Sequence, residues 1–186
     1  LRSRLENAGA EEQAPVEAGD APSTESRDGS CMIIFNTRAE ALATFQSLAD
    51  AGLDPRLLYG QQTPEDRATA IRDIRAALAK GEPILVVATQ VLECGVDLDF
   101  HRVYREMGPW ERVLQAAGRC NRHGSSPGQV TVFSTPTNKT PPGDYKAATS
   151  VAAMLCEQSF PPSESEYWSR LGAGQSFDAE RVLFEE

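Results

Sequence analysis

Two short, unbroken apolar runs, Met32-Ile33-Ile34-Phe35 and Ile84-Leu85-Val86-Val87-Ala88, most constrain what this chain can become. A strand with one wet face alternates apolar and polar residues, whereas a strand without alternation is covered on both faces, as in the interior of a parallel sheet. The text between the runs fits that reading. Thr37-Arg38-Ala39-Glu40 has the spacing of a helix-starting capping box, Leu42, Phe45, Leu48 and Ala49 fall on one helical face, and Gly52 is placed to end the helix. Arg56-Leu57-Leu58-Tyr59 reads as a second strand. Thr63-Pro64-Glu65-Asp66 then opens another helix, with Pro64 at its first position, Ile71, Ile74 and Leu78 on one face, and Gly81 beyond its end. Further strands are expected over 102–106 and 130–133, with helices over 110–118 and about 145–156. Strands alternating with helices of this length predict an α/β fold, a parallel sheet with helices on both faces.

Composition sets the limits of the domain. Residues 1–30 carry Leu1, Leu5 and Val16 as their only large aliphatics, too little apolar surface to offset ordering entropy, and read as an acidic linker or disordered arm. The start lacks a Met, which suggests a piece of something longer, and it lacks the apolar centre of a signal peptide. Residues 31–136 form the α/β domain, and 137–186, turn-rich at first and then partly helical, read as an accessory tail or truncated C-terminal region. The 186 residues are 40% hydrophobic and 24% charged, and no apolar run approaches the roughly 18 residues of a membrane span, so no membrane partner is expected. Cys31, Cys94, Cys120 and Cys156 form no C-x-x-C pair, which fits reduced thiols in a cytoplasmic protein better than zinc or a disulfide framework.

The formal charge of -9 is terminal in origin. Residues 31–136 hold twelve acids against eleven bases, and ten of those bases are Arg, the side chain best suited to forked recognition of phosphate. Ligands of parallel α/β sheets gather at the carboxyl ends of strands, so the loops there are the places to search. Asn36-Thr37-Arg38 follows the first strand at a helix N-terminus, where amides and the dipole favour phosphate, although Thr37 could be no more than a cap. Thr89 and Gln90 follow the strongest strand and could meet a nucleic-acid backbone; Gly95 permits a tight turn and Asp97 can accept from a sugar hydroxyl, although the segment could equally be a solvated acidic loop. Gln115-Ala116-Ala117-Gly118-Arg119-Cys120-Asn121-Arg122 puts two arginines three apart, able to converge on one polyanion or to serve as surface ion pairs.

Taken in order, Met32 to Thr37, then Ala88-Thr89-Gln90 with Gly95-Val96-Asp97-Leu98-Asp99-Phe100, then Gln115 with Gly118-Arg119 and Arg122, resemble motifs IV, V and VI of a superfamily two helicase. More narrowly, residues 90–100 and 117–124 resemble the CRISPR-associated helicase-nuclease of type I interference systems, and the resemblance spans 31–136, about half of the chain. It implies a second RecA-like lobe that closes on a first lobe of the same parent protein around ATP and Mg2+, grips single-stranded DNA, and answers to a CRISPR effector complex. It implies Arg119 and Arg122 at the γ-phosphate, Gln115 ordering them, Gly95 and Asp97 at the nucleotide, and Asn36, Thr37, Arg38, Thr89 and Gln90 toward the strand. One departure is Ala116, where many relatives carry a basic residue.

The sequence contains no G-x-x-x-x-G-K-[ST] loop, no Asp-Glu-x-His or Asp-Glu-x-Asp stretch, and only two histidines, His101 and His123, with no His-Asp pair. The expectation is a lobe that completes an active site held elsewhere and does not hydrolyse ATP alone. Two other readings compete: a free-standing α/β module that binds nucleic acid or protein without ATPase activity, and a Rossmann-like metabolic enzyme. The negative charge weakens the nucleic-acid form of the first and leaves its protein-partner form standing. The second lacks a G-x-G-x-x-G after any strand.

Overall fold

A computed structural model describes residues 29–90, 98–121, 128–137 and 139–174. Five strands and five helices follow one another there: β1 (Ser30–Ile34), α1 (Arg38–Asp50), β2 (Arg56–Leu58), α2 (Pro64–Lys80), β3 (Ile84–Ala88), β4 (Arg102–Glu106), α3 (Trp110–Ala117), β5 (Gln129–Phe133), α4 (Asp144–Gln158) and α5 (Glu164–Gly174). The strands form one parallel sheet in the order β2-β3-β1-β4-β5. The two apolar runs are therefore neighbours at its centre, with Met32 opposite Val86 and Ile34 opposite Ala88.

Side chains of the central strands alternate between the faces, as the period of two requires. Met32, Ile34, Leu58, Val86 and Ala88 meet Ile74 of α2 and Ala116 of α3 on one face. Ile33, Leu57 and Val87 meet Ala41, Phe45 and Leu48 of α1 on the other. The α1 stripe thus runs through Ala41, Phe45 and Leu48, at i, i+4 and i+7, and Leu42 stands beside it, 38% exposed. Leu42 was expected on the core face; Ala41 takes that place because its short side chain lets the helix lie close to the sheet.

The helix ends follow local chemistry. Thr63 Oγ1 accepts from the Asp66 N–H at 3.1 Å with Pro64 in the first turn, and Gly81, at φ 67°, ends α2 while the Glu82 N–H returns to the Ala77 carbonyl. Gly52, at φ 83°, does the same for α1, with the Leu53 N–H on the Leu48 carbonyl.

A second core lies against the edge strand, where Trp110 and Val113 of α3 pack with Ala152 and Leu155 of α4, Tyr167 of α5, and Val132 of β5. The C-terminal helices thereby rest on the helix that follows β4. α5 was not expected from the sequence. Its signal was present: Ser163, after Pro161-Pro162, accepts from the Glu166 N–H three residues on. No helix among the described residues is long and apolar enough to cross a membrane.

Candidate functional site

The carboxyl edge of the sheet carries a dense polar network. Beyond β1, the Asn36 N–H donates to Glu106 Oε2 at 2.6 Å, and Asn36 Nδ2 donates to the Met107 carbonyl at 2.7 Å. The Tyr145 hydroxyl donates to Asn36 Oδ1 at 2.7 Å and accepts from Arg105 at 2.9 Å. Arg105, fully buried, also donates to the carbonyls of Glu106 and Ile34. Asn36 is itself buried, with both ends of its amide engaged inside the protein. It was expected to face a nucleic-acid strand; the structure makes it the clasp between the loop after β1 and the end of β4. Gly108 stands where a Cβ would lie 2.9 Å from Arg105 and 3.0 Å from the Tyr145 oxygen, so only hydrogen fits beside that clasp.

Thr37 caps α1, accepting from the Glu40 N–H at 3.3 Å and donating to Glu40 Oε2 at 2.8 Å. Glu40 also accepts from Thr135 at 3.0 Å and from Thr137. Burial works against its charge, but the hydroxyls of Thr137, Thr37 and Thr135, with Lys139 nearby, hold its carboxyl below the usual range. Glu106 moves the other way: burial, reinforced by Glu40, raises it against the Asn36 and Thr135 hydrogen bonds and the Arg105 charge.

Arg38 is exposed and donates to Gln61 in the turn after β2. That turn is tied by Gln62, which accepts from the Tyr59 N–H and donates to the Leu57 carbonyl, and by Arg67, which donates to the carbonyls of Gly60 and Gln62. Beyond β3, the Thr89 N–H donates to the Leu58 carbonyl, and Gln90 Nε2 is buried without a hydrogen-bond partner among the described residues. Thr37, Arg38, Thr89 and Gln90 thus share the carboxyl edge, just beyond β1 and its neighbour β3.

The arginine segment lies at the opposite edge. α3 returns antiparallel to the strands, so Gln115, exposed near its end, and Arg119, partly exposed just past it, reach the amino ends. The Phe100 N–H donates to the Arg119 carbonyl at 2.9 Å and the Asn121 N–H to the Phe100 carbonyl at 3.0 Å, two residues before β4 begins. Cys120 Sγ contacts the carbonyls of His101 and Gln129 in the same place. A search confined to carboxyl ends therefore misplaces this segment: a motif after a strand and a motif after a crossover helix stand a strand length apart, about 16 Å for five residues. Asn121 adopts φ 45°, a left-handed conformation Asn tolerates, and Gly128 passes so close that a Cβ would lie 2.6 Å from Cys120 Sγ. Gly95, Asp97 and Arg122 lie outside the described residues.

Sequence reasoning missed Glu106, Arg105, Tyr145, Thr135 and Tyr167. The available signal was two adjacent charges, Arg105-Glu106, ending a strand; what they touch comes from β5 and α4, far along the chain.

Comparison with known proteins places this arrangement. A family described as CRISPR-associated nuclease/helicase Cas3, C-terminal, matches residues 27–125. A CRISPR-associated nuclease/helicase Cas3 of Haloferax volcanii is 39% identical over 92 residues, 47% of this chain and 10% of that protein. A CRISPR-associated endonuclease/helicase Cas3 of Thermus thermophilus is 37% identical over 71 residues, 36% of this chain and 8% of that protein. The chain therefore spans about a tenth of these relatives. Among solved structures, T. fusca Cas3 superposes with a TM-score of 0.57 at 24% identity, over 77% of this chain and 20% of that one, and its AMPPNP form gives 0.57 over 84% and 21%. A chain of a pre-nicking CRISPR RNA-guided surveillance complex gives 0.55 at 21% identity, over 84% and 23%. These likenesses speak for the fold. Since the family match runs from the start of β1 through the Arg119 segment, both edges of the sheet included, the chain belongs to the Cas3-like C-terminal family of CRISPR-associated nuclease/helicases.

Proposed function

We propose that this chain is the second motor lobe of an ATP-dependent DNA helicase of CRISPR interference. The observation that carries the reading is the division of the sheet into two edges within a segment of nuclease/helicase family. Arg38, Thr37, Thr89 and Gln90 stand at the carboxyl edge and meet single-stranded DNA, with Asn36 holding their loop in place. Gln115 and Arg119 stand at the amino edge and, with Arg122, Gly95 and Asp97, face ATP and Mg2+ held mainly by the first RecA-like lobe of the same parent protein. Two ligands on opposite edges of one rigid sheet can be bound together, as coupling hydrolysis to strand movement requires.

A planar, permanently charged guanidinium stabilises the charge that builds on the transferred phosphoryl group, and a finger of this kind is worth about 10³–10⁵ in turnover. The chain's charge of -9 gives it little affinity for DNA by itself, so grip comes from the closed pair of lobes. Relatives solved with ATP and with AMPPNP, and one in a surveillance complex, support the nucleotide and an effector complex as partners. The test joins this chain to its first lobe and measures DNA-stimulated ATP hydrolysis. Arg119→Ala and Arg122→Ala should each lower turnover by at least two orders of magnitude while DNA binding persists. Undiminished turnover in both would overturn the assignment.

A further inference from the structure

Thr135 stands between two carboxyl groups. Its Oγ1 lies 3.0 Å from Glu40 Oε1 and 3.0 Å from Glu106 Oε1, and a threonine hydroxyl has one hydrogen to give. Thr137 Oγ1 also lies 3.3 Å from Thr135 Oγ1, but its hydrogen goes to the closer Glu40 oxygen. Glu40 takes Thr37 on Oε2 and Thr137 on Oε1, while Glu106 takes the Asn36 N–H on Oε2. Among the described residues, Glu106 Oε1 therefore has only the contested Thr135 hydrogen. Two carboxylates facing one hydrogen leave one oxygen aimed at a lone pair. A single added proton resolves this: Glu106 Oε1–H donates to Thr135 Oγ1, and Thr135 donates to Glu40 Oε1, so that every donor is used once.

We propose that Glu106 and Glu40 hold one proton between them through Thr135, and that this proton straps the chain leaving β5 across the loop leaving β1. The charges fit. With one proton the pair carries a single negative charge beside the buried guanidinium of Arg105, whose hydrogen bonds among the described residues go to two carbonyls and the Tyr145 hydroxyl. Arg105 acts on Glu106 and Lys139 on Glu40, and the Tyr145 hydroxyl is held by Asn36 and Arg105. The neutral form falls to Glu106, which is 2% exposed, and the charge to Glu40, which has three hydroxyl donors. Loss of the proton sets two charges across one hydroxyl and releases Thr135 from one of them. The strap is closed below that step and loosened above it. This inference concerns the chain's own acids and stands apart from the motor reading.

The experiment is a carboxyl ¹³C titration of the full 186-residue chain, labelled in glutamate, from about pH 3 to about pH 9. Glu106 and Glu40 are assigned by the resonance lost in Glu106→Gln and in Glu40→Gln. Both carboxyls should report two steps in common, as coupled groups do, and the Thr135 methyl resonance should follow the upper one. Thr135→Val should narrow the separation of the two steps to what the charges alone sustain, and Thr135→Ser should restore it. Independent single-step titrations in the natural chain, a separation of steps unchanged by Thr135→Val, or a Thr135 methyl indifferent to the upper step would each overturn the proposal. The titration of the natural chain decides the matter even where Thr135→Val fails to fold.

Discussion

Replacing Tyr167 with Phe removes one oxygen atom from a side chain that is fully buried, and the structure says which groups lose by it. Pro109, at the N-cap of α3, has no side chain able to accept a hydrogen bond. The Tyr167 hydroxyl fills that role from a distant helix, accepting from the Trp110 N–H at 3.2 Å and donating to Glu111 Oε2 at 2.7 Å. Glu111 is partly exposed and recovers a partner from water, but the Trp110 N–H is buried and does not. An orphaned buried donor costs about 1–3 kcal/mol. We therefore expect Tyr167→Phe to destabilise by about 1–2 kcal/mol with no change in packing, or a few degrees of Tm in a chain of this size. Urea unfolding followed by tryptophan fluorescence reads this directly, because Trp110 and Trp168 both lie near the substituted ring. Glu111→Gln, which keeps an acceptor for the phenol, should cost less than half as much. If Tyr167→Phe matched the natural chain, or Glu111→Gln cost as much as Tyr167→Phe, the cap would not be where the stability lies.

Gly128→Ala should cost about 1–3 kcal/mol, since its methyl would press on Cys120 Sγ and the Asn121 Cβ at 2.7 Å; a thermal melt equal to that of the natural chain would contradict the close approach. Burial raises the Glu106 carboxyl, so between the ordinary glutamate range and its own higher value the folded chain holds a proton the unfolded chain has lost. Its contribution is complete below that window and declines as pH rises through it, whereas that of Glu40, held low, is complete above the ordinary range and declines as pH falls. Unfolding free energies of Glu106→Gln against the natural chain should therefore show their difference changing across the upper window, and a constant difference there would exclude the shift. Burial pushes the thiols of Cys31 and Cys156 up to about 11, so alkylation near pH 8 followed by mass spectrometry should find both unmodified in the folded chain and labelled in urea. Rapid native labelling of Cys31 would put it outside the core described here.

The sequence by itself determined the strands, the capped helices between them and the parallel α/β class, because each depends on residues within a few positions of one another. Thr63-Pro64 with Gly81, or Met32 to Phe35, act through local backbone chemistry and a repeat of two or 3.6. Its motif order also carried the family. Tertiary structure alone decided where those motifs stand. Asn36 reads as a ligand residue because its local setting is polar, while its partners Glu106, Met107 and Tyr145 arrive from 70 to 109 residues away and engage its backbone N–H and both ends of its amide. Arg38 follows a strand and Arg119 follows a crossover helix, and because α3 carries the chain back along the sheet the two stand at opposite ends of the strands. Spacing along a chain records which turn of helix a residue occupies; the end of the sheet it reaches depends on how many times the backbone has crossed, and that is set by long-range packing.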